Sequence, residues 1–87
     1  MASVTLFQGP DKLVFVDTGH VHGNWKASEI HVHEVDLSKL TIAQLEQLEK
    51  DSRNGWIELH DWKKIPGAVT DRNPTSREEE QLRKYIS

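Results

Sequence analysis

The sequence has no cysteine and only one methionine among its 87 residues. The lack of cysteine excludes disulfide bonds and thiolate metal sites, and it is compatible with a reducing compartment. A chain of this length forms at most one domain, and it buries only about 60–65% of the surface that its unfolded form exposes. We therefore expect a thin core. Any further stabilisation has to come from self-association, from docking into an assembly or from a metal held by histidine.

Clustered positive charge and long apolar runs are also missing. The formal net charge is −3, and the basic residues are scattered along the chain, which argues against nucleic-acid binding as the main role. The longest aliphatic or aromatic run, LVFV at residues 13–16, is far too short to cross a bilayer. The N-terminal MASVTLF has no positively charged segment followed by a long apolar one. We therefore expect neither a signal peptide nor a membrane anchor.

The arrangements that usually carry catalysis are absent as well. No serine lies in Gly-x-Ser-x-Gly surroundings, and no Gly-rich phosphate loop follows a strand pattern. Most carboxylates fall in helical salt-pair patterns, which are typical of solvated faces. We predict that the chain is not an enzyme and that it binds no cofactor.

Four segments have the patterns of β-strands. Residues 3–8 (SVTLFQ) and 12–17 (KLVFVD) are joined by Gly9-Pro10-Asp11, whose turn chemistry predicts a hairpin. Residues 29–35 (EIHVHEV) alternate apolar residues with histidines, which predicts a half-buried strand with the histidines on its wetter face. Residues 56–62 (WIELHDW) alternate again and are predicted to return beside the hairpin.

Two segments have the signals of helices. Thr41 and Gln44 fit a capping box, and Asn54-Gly55 provides a left-handed stop, so a helix is predicted from about residue 41 to 53. Asn73-Pro74 is typical of a helix start, and a second helix is predicted over residues 74–86. The apolar face of the first helix consists of Ile42, Leu45 and Leu48.

These elements predict an α+β fold: a small antiparallel sheet of three to four strands, one central helix packed on it, and a C-terminal arm helix. We assign residues 1–62 to a compact domain and residues 63–73 (KKIPGAVTDRN) to a linker that contains Pro and Gly. Residues 74–87 form the predicted helical arm.

Four of the five histidines form two His-x-His pairs, His20/His22 and His31/His33. Residues i and i+2 of a strand point to the same side, so each pair offers two imidazoles to one ion. Two such strands side by side would build a structural four-histidine site with no open position for catalysis. The alternative is that the histidines face solvent on an amphipathic strand. We adopt this alternative and assign no metal ligand.

The tryptophans and the predicted arm point to protein binding. Trp56 and Trp62 share one face of the predicted strand, which either the C-terminal helix or another protein has to cover. Trp25 lies in a loop without obvious local cover. A short helix is marginal without tertiary packing, so the apolar end of the arm is predicted to dock on its own core or in a neighbour's groove. The predicted partner-binding residues are Trp25, Trp56, Trp62, Leu82, Tyr85 and Ile86.

Residues 35–59 (VDLSKLTIAQLEQLEKDSRNGWIEL) resemble the small FluMu-type domains of Mu-like prophages. That family has a short β segment, then L-T-x-x-Q-L-x-x-L-x-x-D-x-R, then a returning strand. The family often has Pro before the Arg, where this chain has Ser52. The resemblance covers under a third of the chain. It implies a phage virion or morphogenesis context near the head or the head–tail region, and no catalytic residue. The matching positions are Leu40, Thr41, Gln44, Leu45, Leu48, Asp51 and Arg53.

The first functional hypothesis is therefore a bacteriophage virion structural or assembly protein, such as a minor capsid, decoration or head-completion protein. Its partner would be a larger protein, a major capsid or head–tail subunit, with self-association as a second mode. Assembly would take place in the host cytoplasm. The second hypothesis is a small phage-encoded inhibitor of a host protein, and the third is a histidine-bound metal protein. We expect neither nucleic acid nor a membrane as a partner.

Overall fold

The computed structural model describes residues 2–19 and 21–86. It contains a four-stranded antiparallel sheet with the strand order β1-β2-β3-β4, and three α-helices. The prediction of an α+β fold with a small antiparallel sheet is confirmed. The strands are β1 (Ser3–Gln8), β2 (Lys12–Asp17), β3 (Val32–Asp36) and β4 (Val69–Arg72). The helices are α1 (Ile42–Asn54), α2 (Leu59–Lys63) and α3 (Ser76–Tyr85), and short 3₁₀ turns lie at Ala27–Glu29 and Leu37–Lys39.

The sheet is covered on both faces, which explains the unbroken apolar run in β2. Neighbouring residues of a strand point to opposite faces, so the run LVFV sends two side chains to each side. One face, here called the α1 face, carries the buried cluster Leu13, Phe15, Val35, Leu48, Ile57 and Trp62. The other, the α3 face, carries the buried cluster Leu6, Val14, Val16, Trp25, Ile30, Val32 and Leu82.

The central helix forms as its sequence predicts. Thr41 Oγ1 accepts from the Gln44 amide at 3.2 Å, and Gln44 Oε1 accepts from the Thr41 amide at 2.9 Å, which completes the capping box. The helix ends at Gly55, whose φ of 69° lies in the left-handed region. Its packing differs from the prediction, because Leu48 is buried whereas Ile42 is 77% exposed. Ile42 lies in the first turn of α1, outside the α1-face cluster.

The strand predicted over residues 56–62 is wrong. Residues 59–63 form α2, a single short helix that brings Trp62 onto the α1 face. A spacing of three residues from Leu59 to Trp62 fits a helical turn as well as the local alternation fits a strand. Because α2 is so short, its helical period could not be separated from the strand period by sequence alone.

The fourth strand lies inside the segment predicted as a linker. β4 pairs with β3 from Val35↔Val69 to Val32↔Arg72, so the linker prediction for residues 63–73 is wrong. β3 itself begins at Val32 rather than at residue 29, and the 3₁₀ turn precedes it. The edge strand β4 has only four residues, of which two are charged, and this composition gives little strand signal.

Helix α3 packs on the sheet and is not a separate arm. Leu82 is completely buried on the α3 face, and Gln81 Nε2 donates to the Leu6 carbonyl at 3.2 Å. Thr75, rather than Asn73, caps the helix and forms a capping box with Glu78. Residues 69–86 are therefore part of the same folded unit as the sheet. Among the described residues, no helix has the length and apolar content needed to span a bilayer.

Candidate functional site

Three of the six predicted partner-binding residues are buried within the chain. Trp25 and Trp62 are each 5% exposed, and Leu82 is fully buried. Their assignment as partner-binding residues is wrong, and for Trp62 and Leu82 the structure shows the alternative, cover within the chain. The fold covers them because it places helices on both faces of the sheet, whereas the sequence suggested a single helix layer. None of the three can contact a partner extensively in this conformation.

Trp25 is held by the C-terminal end of the chain. Its indole Nε1 donates to the Ile86 carbonyl at 3.3 Å, and the Arg83 guanidinium lies 4.2 Å from the ring centroid, in a cation–π contact. Ile86 itself is half-buried against the same α3-face cluster. These contacts join residues that are about sixty positions apart in the sequence, so local patterns could not reveal the cover.

Trp56 and Tyr85 remain exposed, at 52% and 61%. They do not form one patch with the other predicted residues, because Trp56 follows α1 whereas Tyr85 ends α3, and the two helices cover opposite faces of the sheet. The indole Nε1 of Trp56 nevertheless has a partner within the chain, since it donates to Glu58 Oε1 at 2.5 Å. The Trp56 backbone amide also donates to the Asp51 carbonyl at 3.0 Å.

A cleft of about 380 Å³ lies beside the loop between β2 and β3. We call it the histidine cleft. Its polar lining combines three imidazoles with two carboxylates, and its apolar lining comes from the buried core of the α3 face and its neighbours. The lining residues are Asp17, Val21, His22, Asn24, Trp25, Glu29, Ile30, His31 and His33.

His33 is the buried polar group of this cleft, with 7% exposure. Its Nδ1 lies 2.7 Å from Asp71 Oδ1, and the Lys63 ammonium lies 2.7 Å from Asp71 Oδ2. Burial alone would raise the pKa of Asp71, but the hydrogen bonds from Lys63 and His33 outweigh it and hold that pKa below its ordinary value. The ionised carboxylate therefore accepts a hydrogen bond from the Nδ1–H of His33, and this contact orients the imidazole.

The prediction that both strand histidines face solvent is wrong for His33. His31 and His22 are exposed, but β4 and α2 bring Asp71 and Lys63 over His33, and the Phe15 ring lies 5.3 Å from the imidazole centroid. Asp71 and Lys63 are the functional candidates that sequence reasoning missed. Both lie in or beside the segment read as a linker, and only the pairing of β4 with β3 makes their position apparent.

The histidines do not form a ready metal centre. Within residues 2–19 and 21–86, no three His, Asp or Glu side chains are arranged so that they could hold a metal ion. His20, one of the four histidines of the metal hypothesis, lies outside the described residues.

A comparison of the chain with protein-family models, curated proteins and solved structures finds no match. The site is therefore interpreted from its own chemistry.

Proposed function

We propose that this chain is a protein-binding domain that works in the assembly of a bacteriophage particle, with Trp56 as its main contact residue. The observation that carries the proposal is the half-exposed indole of Trp56, fixed by its own neighbour Glu58. Tryptophan is enriched among the residues that dominate binding energy at protein interfaces. A partner of this domain would be a larger protein, such as a major capsid or head–tail subunit.

The hydrogen bond to Glu58 makes Trp56 suited to this role. Because the indole N–H already has a partner within the chain, a binding protein needs to offer only an apolar pocket. Because the ring is held in place before binding, little side-chain entropy is lost when the complex forms. An exposed tryptophan without such a hydrogen bond would lose more side-chain entropy on forming the same contact.

The charge around Trp56 indicates the chemistry of the partner. Glu58 contacts the indole, Asp61 lies 3.2 Å from His60, and His60 also faces Glu58 at 3.6 Å. Lys64 also lies 3.5 Å from Asp61, so this surface has mixed charge, with the Glu58 carboxylate next to the indole. We infer that the partner presents an apolar pocket for the indole and a basic group that faces Glu58, since complementary charges favour encounter and register.

The phage context comes from the resemblance of residues 35–59 to FluMu-type domains, and Trp56 lies within that segment. The capped helix of that pattern is present as α1. The returning strand is not, because residues 59–63 are helical. The context thus rests on the β segment and the helix alone.

The proposal is tested by measuring binding to purified capsid or head–tail subunits of the encoding phage by biolayer interferometry. Trp56→Ala is expected to weaken binding at least about tenfold, as for a residue worth more than about 1.4 kcal/mol. Ile42→Ala is the matched control. The exposed fraction of Ile42, 77%, is larger than that of Trp56, and Ile42 lies at the opposite end of α1. Circular dichroism should show both variants folded.

Equal binding by the wild type and Trp56→Ala would remove this residue from the interface. Binding to a single host enzyme, with none to virion subunits, would replace the assembly role by that of an inhibitor. A stoichiometry near one chain per capsid subunit would support assembly.

A further inference from the structure

We propose that two copies of this chain pair through the outer edge of β4, antiparallel and around a two-fold axis at Thr70. The two sheets then join into one continuous sheet, and the dimer has the two-fold symmetry that is commonest among protein oligomers. This surface is separate from that of Trp56, which follows Gly55 beside the other edge strand, β1. The inference does not depend on the proposed assembly role.

The outer edge of β4 presents backbone hydrogen-bonding groups. The Asp36 amide donates to the Ala68 carbonyl at 2.7 Å, and hydrogen-bonded and non-hydrogen-bonded pairs alternate along an antiparallel ladder. The N–H and C=O of Thr70 therefore face β3, whereas those of Val69 and Asp71 point away from the sheet. Among residues 2–19 and 21–86, no hydrogen bond reaches these outward groups. The edge is thus available to another strand.

The opposite edge of the sheet is closed by the chain itself. In β1, the Ser3 amide donates to the Gly55 carbonyl at 2.8 Å, and the Leu6 carbonyl accepts from Gln81 Nε2 at 3.2 Å. Proteins commonly cover a sheet edge in this way, because an uncovered edge pairs with other strands. The contrast between the two edges assigns the pairing to β4.

The charged side chains of β4 are engaged within the chain. Charged residues often protect an edge strand, but Asp71 binds Lys63 and His33, each at 2.7 Å. The Arg72 guanidinium binds the Glu78 carboxylate at 2.6 and 2.9 Å. A strand that approaches β4 therefore meets charges that are already compensated.

A second copy of the chain is the occupant that fits this short edge. With Thr70 opposite the partner's Thr70, Val69 lies opposite the partner's Asp71, and Asp71 lies opposite the partner's Val69. These two pairs exchange their N–H···O=C bonds, so every outward group of both strands obtains a partner. The two exposed threonine side chains meet at the axis, and Thr–Thr pairs on neighbouring strands are favourable.

Other two-fold registers use the edge less well. An axis at Val69 would pair Asp71 with the partner's Gly67, whose φ of 72° is not extended. An axis at Asp71 would place two carboxylates opposite each other, which is unfavourable, and would pair Val69 with the partner's Asn73, which lies beyond the strand. The axis at Thr70 is therefore the one that the strand selects.

The first test is sedimentation of the full chain over a wide range of concentration. Because the interface is small, we expect a weak monomer–dimer equilibrium. Thr70→Lys should weaken dimerisation at least about tenfold, because it places two ammonium groups opposite each other at the axis. Gln8→Lys makes the same change of charge at an exposed residue of β1 and should leave the equilibrium unchanged. Circular dichroism should show both variants folded.

The register is tested with single cysteines, because the chain has none of its own. Opposite residues of a non-hydrogen-bonded pair have Cα atoms about 4.5 Å apart, which is within the range of a disulfide. Oxidised glutathione should therefore convert Thr70→Cys to a covalent dimer and leave Gln8→Cys without that product. Hydrogen exchange should show the Val69 and Asp71 amides protected only at concentrations at which the dimer forms.

A chain that stays monomeric at every concentration would overturn the proposal. So would a dimer that Thr70→Lys does not weaken, or a covalent dimer from Gln8→Cys in place of Thr70→Cys. Trp56→Ala should leave the dimer intact. Dissociation of the dimer by that substitution would place the contact at the Trp56 surface instead, so a failure at β4 and a failure at Trp56 are distinguishable.

Discussion

At the scale of single residues, Trp62 combines a large buried apolar surface with an indole N–H that has no hydrogen-bond partner among the described residues. The ring packs in the α1-face cluster with Phe15 and Ile57. Burying a polar group without a partner costs about 1–3 kcal/mol. The apolar contacts of Trp62 must outweigh this cost.

Substitution of Trp62 separates the two contributions. Trp62→Ala should lower the free energy of unfolding by about 3–5 kcal/mol, because it removes the whole ring. Trp62→Phe should cost much less, under about 1.5 kcal/mol, because it also removes the unpaired N–H. Urea denaturation measures both changes. A loss for Trp62→Phe clearly above that value would indicate that the N–H has a partner, such as a buried water.

His33 shows at the same scale why burial is hard to read from a strand pattern. Period-two alternation correctly separates His33 from Val32, since the two residues face opposite sides of the sheet. The alternation does not indicate whether one face of the sheet or both faces are covered. The cover of His33 comes from Asp71 and Lys63, about 30 to 40 positions further along the chain.

At the scale of elements, the start of α3 is joined to the sheet through Glu78. Its carboxylate accepts from the Arg72 guanidinium at 2.6 and 2.9 Å and from the Thr75 amide at 2.9 Å. Arg72 also contacts Glu34 of β3 at 3.4 Å. The hydrogen bonds from Arg72 lower the pKa of Glu78 more than burial raises it, and Thr75 adds to the effect. One carboxylate therefore serves the helix cap and the docking of the helix.

Glu78→Gln should destabilise the protein by about 1–3 kcal/mol at pH 7, because it removes the charge from these hydrogen bonds. The folded-state pKa of Glu78 lies below its ordinary value of 4.5. Its contribution is therefore complete above pH 4.5 and is lost as the pH falls through the lowered pKa. The difference between wild type and variant should shrink in that acid range.

Urea denaturation at several pH values measures this profile, with Glu80→Gln as the control for a change of net charge. A constant difference between the wild type and Glu78→Gln down to the acid limit would contradict the role of the ionised carboxylate. Such a result would indicate that the shape of the Glu78 side chain, and not its charge, accounts for the lost stability.

Elements with local signals were predicted well, and short elements were not. β1 and β2 have the predicted bounds, because a Gly-Pro turn joins two strands of clear composition. The helix α1 has the predicted cap and stop. By contrast, α2 and β4 have five and four residues, and the contacts they make with the sheet, rather than their own propensities, decide their conformation.

At the scale of the whole molecule, the sheet has a core on each face, and Leu82 closes the one on the α3 face. Tyr85, one turn further along α3, is 61% exposed. The sequence suggested that the two residues act together at a partner surface. In the folded chain they have different roles, since one is part of the core and the other is on the surface.

Leu82→Ala should therefore lower the free energy of unfolding by about 2–5 kcal/mol. Tyr85→Ala should change it by no more than about 0.5 kcal/mol, as for an exposed position. Thermal or urea unfolding of the two variants tests the difference. Similar small effects of both substitutions would mean that α3 does not pack on the sheet in solution.

The sequence by itself determined the fold class, the hairpin β1–β2 and the capped helix α1. Each of these depends on turn, capping and periodicity signals that act over a few neighbouring residues. Only the tertiary structure decided that residues 59–63 are helical, that residues 69–72 complete the sheet, and that Trp25, Trp62 and Leu82 are internal. The histidine cleft also belongs to this second group. The reason is physical: burial and pairing depend on which distant segments meet, and a short sequence window contains no information about that meeting.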